Sequence, residues 1–372
     1  MTTVYMEVDG QPFENFVSIA VSRSLDDFSG SFNITATDAD AGEFPIKVGS
    51  SVKVAVDGVP IVTGYVDYLN PNVSARDHNV EVAGRDVTAD LIDSTLGAAA
   101  VELNPTISMS DVINKTQNAI GLSQPIVLEE TVSDFGKEDI ISCEAQQSCF
   151  DLIEQHARKK QVLVTTNGNG DIVVTRGQPV DTGLKFINLK DDINGENNLL
   201  ESRASFDWSN RYGRYVVVSQ SNLVGANNFG VPSLEDVVNV QSGEVFDSEV
   251  RASRIMTIIA ENPSDQSTTL ERAKWESNIR KARSIEYYCT IDGVVNPLTL
   301  KPYELNGLAQ VVDEDCKINA MMLIKGITHN INLYDGHTTQ FCLTHRDAYT
   351  LQVSEPVAQS RTNDTGGGFT FE

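Results

Sequence analysis

Three histidines near the C-terminal end, His329, His337 and His345, are evenly spaced, with Cys342 between the last two. Imidazole nitrogen and thiolate sulfur are the donors that zinc prefers, so this set is the first candidate for chemistry. On a strand the three histidines share one face, and Cys342 points to the other. A hairpin would bring some of them together; the competing reading is a polar sheet face that uses histidine, and no metal is expected. Two other sets look like calcium loops. Asp38, Asp40, Gly42 and Glu43 fail as one because Gly49 stands where the bidentate glutamate belongs. Asn167, Asn169 and Asp171 fail likewise, with Gln178 at that position. Turn chemistry explains both. A carboxylate pair for glycoside hydrolysis needs one acid raised in an apolar pocket, and nothing local singles one out. There is no G-x-x-x-x-G-K-[ST], no G-x-G-x-x-G after a strand, no G-x-S-x-G and no H-E-x-x-H. The expectation is no catalytic site, no cofactor and no small-molecule substrate.

Charge narrows the field further. The 372 residues carry 28 Lys and Arg against 52 Asp and Glu, a net charge of −24. Phosphate backbones are bound by neutralising them with Lys and Arg, so nucleic-acid binding across the chain is disfavoured, as is an anionic membrane surface. With 40% hydrophobic and 22% charged residues the composition is globular. The length suggests two to four domains at roughly 100–200 residues each. No apolar run approaches the ~18 residues of a membrane span. The first basic residue is Arg23, so no signal peptide is expected. Cys143, Cys149, Cys289, Cys316 and Cys342 are an odd, dispersed set that suits free thiols.

The elements that must position any site begin with a β-unit over residues 1–94. FVSIAVSRSL and GSFNITATDA alternate apolar and polar residues, and Asp57-Gly58 between two further alternating runs predicts a hairpin turn. Asp86 is placed to cap a short helix bearing Val87, Leu91 and Ile92, stopped near Gly97. This unit already holds 15 acidic residues against 5 basic ones. Residues 95–182 predict an α+β unit. One helix carries Val112, Ile113, Thr116, Ala119 and Ile120, with Ser108 or Ser110 as N-cap and Gly121 as its stop. A second places Cys149, Leu152, Ile153 and His156 on one face, with Glu144 near its start and Lys159-Lys160 at its end. A hairpin through Asn167–Gly170 follows. Strands return over 199–220 and in the stretch around MLIKGITHNINLY, Asp335-Gly336 and HTTQFCLTH. The two β-regions share paired strands, an Asp-Gly hairpin and an acidic bias, a hint of duplication.

One charge anomaly stands out. A helix predicted over 268–285 holds five basic and two acidic residues between 270 and 283. Trp275, Ile279 and Ala282 form its apolar stripe, and Arg272, Arg280 and Arg283 lie along the neighbouring face. Those arginines form either a solvated face with intrachain pairs or a docking face for an acidic neighbour, including a second copy of the chain. The tail over 351–372, ending in TNDTGGGFTFE, is expected to be flexible, with a terminal Phe-Thr-Phe able to add to a partner's strand.

Gly84-Arg85-Asp86 followed by Asp90-Leu91-Ile92-Asp93-Ser94 resembles the baseplate hub (43 kDa tail protein) family of Mu-like contractile-tail phages and prophages. The ITATD and KVGSSVKVAVDGVPIVTGYV segments are similar to that family's first barrel, and WSNRYGRYVVVSQ to its return strand. ERAKWESNIRKAR, GVVNPLTLKPYELNGL and MLIKGITHNINLYDGHTTQFCLTHRDAY follow in the family's order, up to about Tyr349. The resemblance implies a mainly β chain with α+β insertions, built on two tube-like antiparallel β-barrels. It divides as 1–94, first barrel; 95–182, α+β; 183–220 with 315–350, second barrel; 221–314, inserted segment; and 351–372, tail. It further implies a homotrimer, related to the hub part of type VI secretion spike proteins, that joins a sixfold tail tube to a threefold central spike within a baseplate. DNA would then cross the channel without specific binding, and carboxylates on the wall would repel it. A tail-associated peptidoglycan hydrolase and a carbohydrate-binding adhesin are the competing functions; the missing catalytic motif and the scarcity of Trp weigh against them.

Overall fold

The computed structural model describes residues 2–37, 44–73, 78–96, 107–135, 146–177, 180–220, 240–260 and 266–350. Cys143, Glu144, Gln178, Gly97, the Asp38, Asp40, Gly42 and Glu43 set and the 351–372 tail lie outside the described residues. The first unit runs β1 (Val4–Val8), β2 (Gln11–Pro12), β3 (Phe16–Ser24), β4 (Ser31–Thr37), β5 (Ser51–Val56), β6 (Val59–Val73), β7 (His78–Asp86) and α1 (Ala89–Asp93). Period-two alternation produces it: in β4, Phe32, Ile34 and Ala36 are buried while Ser31 and Asn33 are exposed. Met6, Ile19, Val21, Val54, Val62 and Val82 join the β4 residues in one core. Asp57 and Gly58 both take positive φ, 48° and 82°, as the tight β5–β6 hairpin requires.

The α+β unit contains α2 (Met109–Ala119), β8 (Ile126–Leu128), α3 (Cys149–Lys159), β9 (Leu163–Thr166) and β10 (Ile172–Thr175). Both helices open with a capping box, Ser108 with Asp111 and Ser148 with Asp151. Their buried faces, Val112, Ile113, Leu152 and Ile153, pack on Ile172 and Val174. Asn167 shapes the β9–β10 turn, its side-chain oxygen accepting from Asn169 N at 2.9 Å and Asp171 N at 3.1 Å. The polar set there is turn chemistry.

A second β-unit comprises β11 (Val180–Asn188) and β12 (Leu199–Phe206), then, after an excursion, the strands from residue 285 on. The excursion holds β13 (Arg214–Gln220), β14 (Val240–Phe246), β15 (Ile255–Ile259) and α4 (Gln266–Arg283). These strands form their own sheet, ordered β14-β13-β15, with α4 packed on it through Ala273. The return is β16 (Ile285–Asp292), the small pair β17 (Val295–Asn296) and β18 (Lys301–Pro302), then β19 (Gly307–Asp313), β20 (Ile318–Asn332) and β21 (Gly336–His345). Tyr287, Val311, Ile324, Phe341 and Leu343 form its core with Phe186. This differs from the boundaries expected from sequence. β13, expected in the second barrel, lies in the inserted sheet, whereas β16 and β19, expected within the 221–314 insertion, are strands of the large sheet. Alternation marks a strand but not its partner, so periodicity does not separate the two sheets.

The two β-units share one plan. The order β3-β4-β7-β6-β5-β1 in the first is matched by β12-β16-β21-β20 followed by β19 and β11 in the second. They differ at the last strand, since β1 pairs antiparallel with β5 while β11 pairs parallel with β19. The middle strand of each, β6 and β20, is 15 residues long and carries a bulge beside a charged residue, Asp67 in one and Lys325 in the other. β20 belongs to both units: its first part pairs with β19, and from Gly326 onward it pairs with β3. One 13-stranded sheet therefore runs through the molecule. The inserted sheet and α4 stand between β12 and β16, where the first unit has only the short β3–β4 turn.

Candidate assembly surface

The histidine set does not converge. His329 pairs across the hairpin with Thr339, His337 with Ile331 and His345 with Met322, which spreads them along its length. Burial pushes His329 and His345 down to about 3, so both are neutral imidazoles inside the fold. Burial also raises the thiols of Cys289, Cys316 and Cys342. Among the described residues no group of His, Cys, Asp or Glu is arranged to hold a metal ion.

The distinctive surface is the outer face of the shared sheet. One row of paired residues crosses six strands from β7 to β16 as Ala83, Asn33, Ala20, Asn330, Thr338 and Asp292. The next row reads Arg85, Ser31, Ser22, Thr328, Gln340 and Thr290 over the same strands. Ser22 and Thr328 share a hydrogen bond of 2.9 Å across the seam between the units. On β4, β3, β20 and β21 these side chains are all small or amide-bearing and none is charged, in a chain of net −24. None is buried, so the face is open. Charge appears only toward the margins, as Asp67, Glu81 and Arg85 on one side and Asp292, Glu286 and Glu201 on the other. Among the described residues of these two rows, no acid stands on β4, β3, β20 or β21.

Gly84, Arg85 and Asp86 join the first β-unit to the α+β unit. A Cβ on Gly84 would lie 2.0 Å from the Tyr65 carbonyl oxygen and 2.4 Å from the Phe32 ring, so only glycine fits. Arg85 donates to Asp67 at 2.7 Å and to Asp93 at 2.6 Å, tying the bulge of β6 to the end of α1. Asp86 is buried and accepts from Ser29 Oγ at 3.0 Å, Gly30 N at 2.6 Å, Thr88 N at 2.9 Å and Thr166 Oγ1 at 2.5 Å. Thr88, not Asp86, is the N-cap of α1, and Asp86 holds it from two residues upstream. Asp90, in the first turn of α1, is exposed.

Helix α4 is packed on more than one side. Trp275 and Ala282 are buried with Leu25, Leu323 and Tyr349, and Ala273 faces Val217 and Val245. All three singled-out arginines have acidic partners within the chain. Arg272 bonds Glu276 at 2.8 Å, and Arg280 lies 3.6 Å from Glu276, donates to Asn210 O at 3.3 Å and stacks over Tyr212. Arg283 keeps 62% of its side chain exposed, 3.8 Å from Asp26. Arg280 thus lies against the Asn210–Tyr212 segment that leads into β13, and Arg283 is the most exposed of the three.

Two buried ionic centres escaped the sequence reading. Lys325 bonds Asp26 at 2.8 Å and Glu286 at 2.7 Å, and Tyr349 donates to Asp26 at 2.8 Å. Arg211, with no exposed side-chain surface, bonds Asp247 at 2.6 Å and also pairs with Glu249, fastening the inserted sheet. The one available signal for the first was a lysine inside the apolar run MLIKGI.

Residues 3–86 match the family model described as Mu phage baseplate assembly protein GpP-like, N-terminal. Over 98% of this chain and 94% of the other, it is 26% identical to baseplate hub protein gp44 of Escherichia phage Mu. Among solved structures, the 43 kDa tail protein of prophage MuSo2 from Shewanella oneidensis superposes with a TM-score of 0.78 at 24% identity, covering 94% of this chain and 99% of that one. The E. coli c3393 protein, described as a type VI secretion component similar to T4 tail proteins gp27 and gp5, superposes with a TM-score of 0.57 at 10% identity, over 95% and 81% of the two chains. Those structures agree in fold, and the likeness to the Mu hub runs through nearly the whole chain. The chain thus carries a GpP-like N-terminal match over residues 3–86 and is similar along nearly its whole length to the Mu baseplate hub.

Proposed function

We propose that three copies of this chain form a ring that joins the sixfold tail tube to the threefold central spike, with other baseplate proteins around it and DNA passing through. The observation that carries this reading is the repeated strand plan within one uninterrupted sheet. A threefold assembly of a duplicated unit presents six like surfaces on one side while remaining threefold on the other. The uncharged rows of β4, β3, β20 and β21 are the wall in this reading. Retention of DNA is avoided there by the absence of cations, with no ring of carboxylates required, since phosphate affinity grows with each Lys or Arg that can neutralise it. The role needs no bond-making chemistry, and the chain is read as a structural component without enzymatic activity. It is made in the bacterial cytoplasm and carried in the tail baseplate of the virion.

Light scattering coupled to gel filtration should give the trimer mass, and negative-stain images should show rings with an open centre. A monomer at every concentration, with no rings, overturns the assembly. Duplex DNA should not bind wild-type protein at moderate salt. The Asn33→Lys, Asn330→Lys, Thr338→Lys variant places cations on one row of the wall. It should bind duplex DNA with an affinity that falls steeply as salt rises, the logarithmic slope being about −0.9 per phosphate neutralised. A trimeric variant that still ignores DNA removes these strands from the wall.

A further inference from the structure

A cleft of about 790 Å³ lies where the α+β unit, β11 and the β17–β18 pair meet, away from the outer sheet face. Its lining carries Glu129, Glu130, Asp181 and Glu304 against the single cation Lys301. Glu130 is nine-tenths buried, and its nearest cation, Arg176, is 4.0 Å from Oε2. Its other oxygen, Oε1, is buried without a hydrogen-bond donor, as is Oδ1 of Asn306 beside it. The Asn306 amide nitrogen is already committed, donating to Glu129 at 3.2 Å and to Thr175 at 3.0 Å. The site therefore holds two buried acceptors that no donor meets, an arrangement that costs stability until a donor arrives.

The surroundings of these acids are apolar. Leu184, Leu305 and Pro302 line the cleft, and Val180 at its edge is 75% exposed. Leu298 and Leu300, on either side of the lining residue Thr299, are also largely exposed. Leu300 holds a left-handed φ of 57°, which presents an apolar side chain to solvent from a backbone conformation that disfavours it. Carboxylates with unmet acceptors beside protruding aliphatic side chains complement an extended segment in which Lys or Arg alternates with aliphatic residues. A metal ion or a polyamine would use the acids but not the leucines.

We infer that this cleft docks a basic, aliphatic-flanked peptide segment of a partner protein. Its cationic side chain meets Glu129, Glu130 and Glu304, and its apolar neighbours lie on Val180, Leu298 and Leu300. The inference concerns a single chain and holds whether or not the ring forms.

The probe is a fluorescein-labelled peptide, acetyl-Leu-Arg-Ile-Lys-Leu-amide, titrated with the full chain by anisotropy. Wild type should bind in the range of about 1–100 μM, which corresponds to about −8 to −5 kcal/mol. Asp181→Asn with Glu304→Gln, both exposed positions, should weaken binding at least tenfold with an unchanged melting temperature. Leu298→Ser with Leu300→Ser should weaken it several-fold. Asp191→Asn with Glu196→Gln removes equal charge from exposed positions elsewhere and should change nothing. The proposal is overturned if wild type does not bind below 1 mM, if the control variant weakens binding as much as the cleft variant, or if spermidine displaces the peptide at equal concentration.

Discussion

Asp86→Ala should lower the unfolding free energy by about 3–5 kcal/mol, which would make it one of the two most damaging single changes in the chain. The carboxylate closes four separate pieces of structure around itself: the β3–β4 turn at Ser29 and Gly30, the end of β7, the start of α1 at Thr88, and β9 at Thr166. Two of its donors are backbone N–H groups that have no other acceptor in reach once the side chain is gone. A buried donor left unmade costs roughly 1–3 kcal/mol, and two of them with the stranded hydroxyls of Ser29, Thr88 and Thr166 account for the total. Asp86→Asn should lose about 2 kcal/mol, because its NH2 must face one of the same donors. Urea midpoints at pH 7 decide the matter; a shift equivalent to under ~1 kcal/mol for the alanine variant would show that contacts other than Asp86, such as Thr165 with Ser24 and Asp27, hold the α+β unit to the first β-unit.

Lys325→Met is the second large effect and is expected to depend on pH. Burial disfavours the charge on Lys325, but Asp26 and Glu286 outweigh it, so the ammonium is held above its ordinary range. Burial also opposes ionisation of Asp26 and Glu286, and Lys325 outweighs it at both, holding each carboxyl below its usual value. Removing the lysine strands two partly buried carboxylates, a loss of about 3–5 kcal/mol at pH 7. Acids with depressed native pKa values contribute stability that is present above the ordinary carboxylate range and lost as pH falls through it. Wild type should therefore destabilise between about pH 5 and pH 3, and the gap between it and the methionine variant should close over the same interval. A gap that stays constant down to pH 3 would mean that the aliphatic part of the lysine, not its charge, is what matters.

The parts of this architecture that were legible in sequence are those decided locally. Asp57-Gly58 needs only two positive φ values to specify its hairpin, and Ser108 with Asp111 needs only the spacing of a capping box. The buried stripe of α3 and the core position of Trp275 follow from helical period alone. What was not legible depends on partners distant in the chain. β12 and β13 read alike by alternation, yet they enter different sheets because Arg211 turns the chain between them and anchors it to Asp247, 36 residues on. Arg272 and Arg280 look like a free basic stripe on a helical projection, which carries no information that both flanks of α4 are packed. Lys325 was visible as a charge in an apolar run, but Asp26 and Glu286, its reasons for being there, come from opposite ends of the sequence.

The continuity of β20 has a mechanical meaning. Two β-units joined by a linker swing against each other, and a torque applied to one is lost in the joint. Here the same backbone is a stave of both, and its ladders to β3, β19 and β21 run parallel to any pull along the strand. Such ladders are loaded in shear, with many hydrogen bonds resisting at once rather than parting one by one. The angular offset between the two β-units is then a fixed property of the chain, and whatever twists one of them twists the other in phase.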